Sequence, residues 1–244
     1  MNQIFKGKRI LVTGGCRGIG YGIAVELWRQ GASVVALSSI KENLLKLKSQ
    51  YPTIEVVCVD LLDWDRTREA VESLGVFDGL VNNAGVALNQ PFLECTKEYF
   101  DETIAVNVRA VVNVSQIVAK KMIQNGIKGS IVNISSQASK AALKDHVSYC
   151  GSKAAVDGIT RVMALELGPY GIRSNTVNPT VIMTEMGRKV WSEPSKSHGM
   201  LSKIPLGRFG EVHEVVNAVL FLLSDQASMI SGVHLPIDGG FLAL

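Results

Sequence analysis

The sequence predicts an α/β fold, a doubly wound parallel sheet of about seven strands with helices on both faces, and three observations carry that prediction. Short apolar, β-branched runs alternate with helix-length segments seven times along the 244 residues. Each run reads as a strand buried on both faces. A glycine-rich turn, "TGGCRGIG" from Thr13 to Gly20, follows the first run and opens the first helical segment.

The strands are expected in order at "RILVTG" (9–14), "SVVALS" (33–38), "IEVVCVD" (54–60), "GLVNNAG" (79–85), "GSIVNISS" (129–136), "IRSNTVNP" (172–179) and "GVHLPIDG" (232–239). Between them, apolar residues recur at three- and four-residue spacing in "GIAVELWRQ", "WDRTREAVESL", "AVVNVSQIVAKKMIQ", "AAVDGITRVMALEL" and "EVVNAVLFLL", as they do on amphipathic helices. Parallel strands need crossover connections, and a helix is the shortest stable one. No Pro/Gly/Ser-rich linker or internal repeat interrupts the rhythm, so one domain is expected over residues 1–244. The exception is 182–207, a polar, proline-containing stretch too long for an ordinary connection, which is read as a lid at about 183–205.

Composition narrows the function. With 47% hydrophobic residues the chain can bury a large core, which excludes disorder for most of it. The formal charge is only +3, and no Lys/Arg block exceeds the pair Lys120–Lys121, so no nucleic-acid footprint is visible. A small-molecule partner is expected. The four cysteines form no CxxC pair and no histidine stands at metal-ligand spacing, which predicts reduced thiols and no metal site. The N-terminal residues lack the apolar core of a signal peptide, and no run reaches the ~18 residues of a membrane span. A cytoplasmic protein is the expectation.

Glycines in the Thr13–Gly20 turn let the backbone approach a pyrophosphate, whose charge is met by free N–H groups at the following helix N-terminus. Gly14, Gly18 and Gly20 carry that reading, with Ile19 between them; a plain structural turn is the competing one. In an NAD site a carboxylate near the end of the second strand would take the ribose 2′-hydroxyl. This chain has Leu37, Ser38 and Ser39 there, with Arg17 in the turn and Lys41 nearby. Without an anion to repel a 2′-phosphate, NADPH/NADP+ is expected rather than NADH; otherwise Arg17 and Lys41 are ordinary solvated charges.

Tyr149 and Lys153 stand four apart at the start of a helix, hence on one face. A free phenol has a pKa of about 10, and a neighbouring ammonium in a desolvated cleft turns it into a general acid/base. Alone, such a pair reads as a surface accident. Together with "TGGCRGIG", "NNAG" (82–85), Asn107 in "VNV", Ser136 thirteen residues before Tyr149, "VNPTVIMT" and the closing "LPIDGG", however, the chain resembles the short-chain dehydrogenase/reductase family over its whole length.

That resemblance implies a Rossmann-like domain in which Tyr149 protonates a carbonyl oxygen as a hydride reaches its carbon. Ser136 hydrogen-bonds the same oxygen, Lys153 lowers the phenol's pKa and holds the nicotinamide ribose, and Asn107 positions a proton-relay water. Asn83, Ala84 and Gly85 would flank the cofactor, Asp60 and Leu61 the adenine, and Ile182 and Thr184 the carboxamide. Assembly as a homotetramer is implied too, with the apolar tail "GGFLAL" (239–244) suited to an intersubunit contact.

Within the family, "EVVCVDLLDW", "QPFLECTKE", "VSQIVA", "ALELGP" and "NPTVIMTEMG" look like the dicarbonyl and L-xylulose reductases. By that likeness Gln137, Leu143, His146 and Trp191 line the substrate pocket beside Ser136 and Tyr149, with Gln137 and His146 offering hydrogen-bond donors to a polyol. The plainer roles open to them are a backbone cap, a loop histidine and a lid anchor. Ser39 departs from the group, which has an arginine beside the 2′-phosphate. The rival readings are a reductase of 3-oxoacyl thioesters or hydrophobic ketones, and a catalytically silent dinucleotide-binding sensor. His198, His213 and His234 are assigned no role.

Overall fold

Seven strands pair in register along their length: β1 (Arg9–Thr13), β2 (Ser33–Ser38), β3 (Glu55–Cys58), β4 (Gly79–Asn82), β5 (Ser130–Ile134), β6 (Arg173–Pro179) and β7 (His234–Ile237). In this computed structural model, which describes residues 3–243, they form one sheet in the order β3-β2-β1-β4-β5-β6-β7. Every pairing is parallel. Met1, Asn2 and Leu244, the ends of the expected domain and the last residue of its tail, lie outside the described residues. The order reverses direction between β1 and β4, and at such a switch point a crevice opens beyond the carboxyl ends of the strands.

The helices are α1 (Gly18–Arg29), α2 (Lys41–Gln50), α3 (Trp64–Ser73), α4 (Lys97–Ile104), α5 (Ala110–Gln124), α6 (Val147–Leu167), α7 (Glu185–Trp191), α8 (Pro194–Leu201) and α9 (Val212–Leu223). Two apolar layers cover the sheet. One packs Ile23, Leu27, Val215 and Val219 from α1 and α9 against Ile10, Val12 and Val34; the other packs Val71, Val114, Ile117 and Met122 from α3 and α5 against Leu11, Leu37 and Leu80. Burying each such side chain contributes about 1.5–3 kcal/mol, and that burial fixes where the strand ends point.

The expected strands are all present, β2 with its expected bounds and the others shortened at their ends. The expected lid contains two short helices, α7 and α8, and the segment's two ends are paired by a bridge between Ile182 and Gly210. Thr184 starts α7, its hydroxyl accepting from Gly187 N at 3.0 Å.

Candidate active site

The glycine turn leaves β1 through Gly14 (φ 63°) and enters α1 through Gly18 (φ 53°), both left-handed conformations open to glycine. A Cβ at Gly20 would lie 2.2 Å from the Gly14 carbonyl oxygen, so only glycine fits there. The turn is tied to the end of β4. Asn83 Nδ2 donates to the carbonyls of Thr13 (3.0 Å) and Gly14 (3.1 Å), while Thr13 Oγ1 accepts from the amides of Asn83 (3.0 Å) and Ala84 (3.1 Å).

Beyond this cradle runs a groove of about 730 Å³. Gly14, Arg17, Gly18 and Ile19 line it from the turn, Ser38 and Ser39 from the end of β2, Asp60 and Leu61 from the end of β3, and Asn83, Ala84 and Gly85 from the end of β4. Thr184 closes it from the lid side. Ile182 does not reach the wall; it is buried, with Gly210 against it. Ser38 is buried with its hydroxyl already committed, accepting from Ile40 N (3.2 Å) and from Cys16 Sγ (3.1 Å). Arg17 and Ser39 are exposed, and among the described residues Arg17 has no ion-pair partner. The side chains of Asn43, Met186 and Lys189 also face the groove. They escaped the sequence reading because α2 and α7 were not resolved as helices there; their signal is a first turn just after a strand end.

This cradle fits a dinucleotide. It has close backbone approach where a side chain would collide, a helix N-terminus aimed into an elongated groove, and an uncommitted guanidinium.

The second half of the site joins β5 to α6. Ser136 begins a tight turn over Gln137–Ser139, its hydroxyl accepting from Ala138 N at 3.1 Å and lying beside the Tyr149 phenol. Lys153 is buried, donates to the Ile134 carbonyl at 2.8 Å, and has its Nζ 5.6 Å from the centre of the Tyr149 ring. Asn107 lies in a π-helical turn between α4 and α5, a rare local geometry that recurs at functional sites. Its amide clamps both backbone groups of Val86 (2.8 and 2.9 Å) and donates to Ser152 Oγ at 3.0 Å. A Cβ at Gly85 would meet Asn107 Oδ1 at 3.3 Å and Lys153 Nζ at 3.6 Å, so the groove ends where these residues converge.

Burial pushes the Tyr149 phenol up, outweighing the Ser136 hydroxyl that pulls it down; the Cys150 thiol adds to the rise. Burial lowers Lys153 to about 8, with Asp157 pulling it back. In this arrangement desolvation dominates, and the phenol keeps its proton at neutral pH.

Next to Tyr149, Leu143 and His146 line a cavity of about 570 Å³ together with Phe92, Leu93 and Cys150. The His146 ring stands edge-on to Tyr149, with centroids 6.1 Å apart. Asp145 before it adopts φ 63°, a strained conformation for a residue with a Cβ. Gln137 is buried next to Ser136, and its Oε1 has no hydrogen-bond partner among the described residues. Thr180 Oγ1 shares that condition, just beyond Pro179, whose carbonyl the Ser136 hydroxyl faces at 3.5 Å. Trp191 does not join Leu143 and His146 on their cavity wall; at the end of α7 it packs on Phe209, with ring centroids 5.5 Å apart.

Known proteins resemble this chain in sequence and fold. The family model described as enoyl-(acyl carrier protein) reductase matches residues 14–242. An L-xylulose reductase of Homo sapiens is 55% identical over 243 residues, covering 100% of both chains. A D-erythrulose reductase of Gallus gallus is 55% identical over 238 residues, covering 98% of this chain and 97% of its own. Among solved structures, a gluconate 5-dehydrogenase of Burkholderia cenocepacia in complex with NADP and tartrate superposes with a TM-score of 0.93 at 30% identity, covering 100% of this chain and 98% of that one.

Proposed function

The chain belongs to the short-chain dehydrogenase/reductase family, a family of oxidoreductases, and from that premise we propose that it is an NADPH-dependent carbonyl reductase. Its substrates are L-xylulose, reduced to xylitol, and small α-dicarbonyls such as diacetyl. The observation that carries the sugar reading is Gln137. A buried amide oxygen without a partner costs about 1–3 kcal/mol, and a substrate hydroxyl beside Ser136 relieves it, whereas a hydrophobic ketone does not. The family-based expectation made Gln137 a donor, and among the described residues its Nε2 has no hydrogen-bond partner either, so both ends of the amide are unpaired. Relatives named for L-xylulose and D-erythrulose support the same class. NADPH is supported by uncommitted Arg17, by the absence of a carboxylate at 37–39, and by the related dehydrogenase solved with NADP.

A nicotinamide dinucleotide held by the turn at 14–20, residues 83–85 and Thr184 would supply the hydride for the carbonyl carbon. Ser136 Oγ, fixed by the Ala138 amide, donates a hydrogen bond to the carbonyl oxygen and stabilises the charge developing there. Tyr149 gives its phenolic proton to that oxygen, completing the alcohol. The Lys153 ammonium stabilises the phenolate left behind until solvent returns the proton. Asn107 acts by holding the Val86 backbone and Ser152 beneath this pair, where a relay water would bind.

The protein works as a cytoplasmic homotetramer. Val162 and Leu165 on the outer face of α6 and Tyr99 and Phe100 on α4 are exposed, apolar surface that a second copy would cover. The tail residues Phe241 and Leu242 are half-buried on their own domain, on a turn capped by Asp238.

The test is the initial rate of NADPH and NADH oxidation with L-xylulose, diacetyl and an acetoacetyl thioester. NADPH turnover with the first two is expected. Activity confined to the thioester contradicts the sugar reading, and no turnover with any substrate moves the sensor reading to the front.

A further inference from the structure

Behind Ser136 lies a set of buried polar side chains that neither the groove nor the proposed chemistry uses. Asp157 is 5% exposed on α6, one turn beyond Lys153, which is itself one turn beyond Tyr149. Asn178, fully buried near the end of β6, points its Nδ2 at both Asp157 carboxylate oxygens (3.2 and 3.1 Å), at Ser139 Oγ (3.0 Å) and at the Ser136 carbonyl (3.2 Å). Thr176 Oγ1 lies 2.6 Å from Asn178 Oδ1 and 2.9 Å from His234 Nδ1, and Arg161 Nη1 is 2.8 Å from His234 Nε2.

The hydrogen-bond inventory gives this chain one direction. A guanidinium only donates, so His234 Nε2 accepts from Arg161. The neutral ring then carries its proton on Nδ1 and donates it to Thr176 Oγ1. The single hydroxyl proton of Thr176 goes to Asn178 Oδ1, which turns the amide NH2 toward Asp157 and the Ser136 carbonyl. Burial, with Arg161 and Lys140, holds His234 below the ordinary histidine range against the pull of Asp157, in keeping with the neutral ring the chain needs.

We propose that Arg161, His234, Thr176, Asn178 and Asp157 form a one-way hydrogen-bonded chain that fixes the backbone of Ser136 against α6. Thr176, Asn178 and Asp157 are thereby positioning residues for carbonyl reduction, acting through Ser136 without touching substrate. This rests on the reading of Ser136 and Tyr149 as the groups that hold and protonate the carbonyl oxygen. Those two residues come from different elements, the turn after β5 and the helix α6. A misplacement of about 1 Å between such groups can cost ~10²-fold in rate, and the chain ties both elements to β6 and β7. Asp157 has a second effect through its charge. The groups around Lys153 are Tyr149 and Asp157 from its own helix, the Ile134 carbonyl from β5 and the Asn107 amide; Asp157 is the anion among these described residues.

The experiment compares Thr176→Val, which removes the hydroxyl at constant shape, with Thr176→Ser, which keeps it. With NADPH and L-xylulose, Thr176→Val should lower kcat roughly tenfold or more while KM and NADPH affinity, read by fluorescence titration, stay within about twofold. Thr176→Ser should recover to within about threefold of wild type, because the chain is restored. Equal kcat in all three proteins, or equal losses in both variants, overturns the proposal. Asp157→Asn should move the alkaline limb of the kcat/KM profile down by about half a pH unit or more; an unmoved limb removes Asp157 from the account. If Thr176→Val does not fold, His234→Leu against His234→Gln makes the same comparison, since glutamine can accept from Arg161 and donate to Thr176. Hydrogen exchange of the Ala138 amide, whose acceptor is Ser136 Oγ, reads the positioning without catalysis and should quicken in Thr176→Val alone. Unchanged exchange overturns the chain, whereas absent carbonyl turnover in wild type with quickened exchange in the variant overturns the functional reading instead.

Discussion

On the groove side of the site, the polar atoms that hold the wall's backbone are bound to one another, while the exposed Arg17 guanidinium is left uncommitted. Asn83 and Thr13 stitch the glycine turn to β4, Asn107 clamps Val86, and Lys153 is anchored on Ile134. On the substrate side, Gln137 Oε1 and Thr180 Oγ1 are buried without partners, and Phe92 and Leu93 stand in solvent at 74% and 93% exposure. The groove's backbone is thus held in place before anything binds. The substrate wall carries unmet hydrogen-bonding capacity and uncovered apolar surface, and so gains most from a ligand that supplies hydroxyls and a short carbon chain. On the proposed reading, a preorganised half and an unsatisfied half divide the labour: the first would fix the chemistry, the second would choose the carbonyl.

The sharpest way to break the first half is Tyr149→Phe. It keeps the ring and removes the proton donor, so kcat with L-xylulose should fall by about 10²-fold or more while NADPH affinity persists. Stopped-flow hydride transfer checks it, and near-normal rates would remove Tyr149 from the mechanism.

Lys153 comes next, because there the demands of function and stability oppose each other. Its folded value of about 8 lies below the ordinary lysine value of 10.5, so the unfolded chain binds more protons between those pH values. Stability therefore rises with pH from about 8 to 10.5, and below pH 8 the buried ammonium carries its full cost, up to about 3 kcal/mol. Lys153→Met should abolish turnover yet melt higher than wild type at pH 7, with the gain fading toward pH 10.5. Wild-type kcat/KM should decline above pH 8 as the ammonium is lost. A Lys153→Met protein that melts lower at pH 7 contradicts the burial argument.

A smaller effect is expected at Arg17. Loss of one charge-assisted contact to a 2′-phosphate, worth ~1.5–3 kcal/mol, should weaken NADPH by about 10- to 100-fold and leave NADH nearly unchanged in fluorescence titrations of Arg17→Ala. Equal weakening of both cofactors would discard the phosphate assignment.

The same division explains what could be read from the sequence. Strands buried on both faces are apolar throughout, and glycines that no Cβ can replace are visible as letters. The sheet and the Gly14–Gly20 cradle were therefore legible. Tyr149, Lys153, Ser136 and Asn107 were legible through their joint spacing. The helices α7 and α8 were not, because they are short and polar with few buried positions to give a period. The packing of Trp191 on Phe209 and the chain from Arg161 to Ser136 were hidden for another reason. They join residues far apart in sequence, and no local pattern in α6, β6 or β7 marks His234 as the partner of Thr176.

The measurement that bears most directly on the unsatisfied wall is the ratio of kcat/KM for L-xylulose to that for a hydrophobic ketone, in wild type and in Gln137→Leu. The account predicts about a tenfold fall in the ratio, one hydrogen bond's worth, with a melting temperature unchanged or raised because the variant buries no orphaned oxygen. A ratio that stays the same while the protein remains folded would contradict the claim that Gln137 selects a hydroxylated substrate.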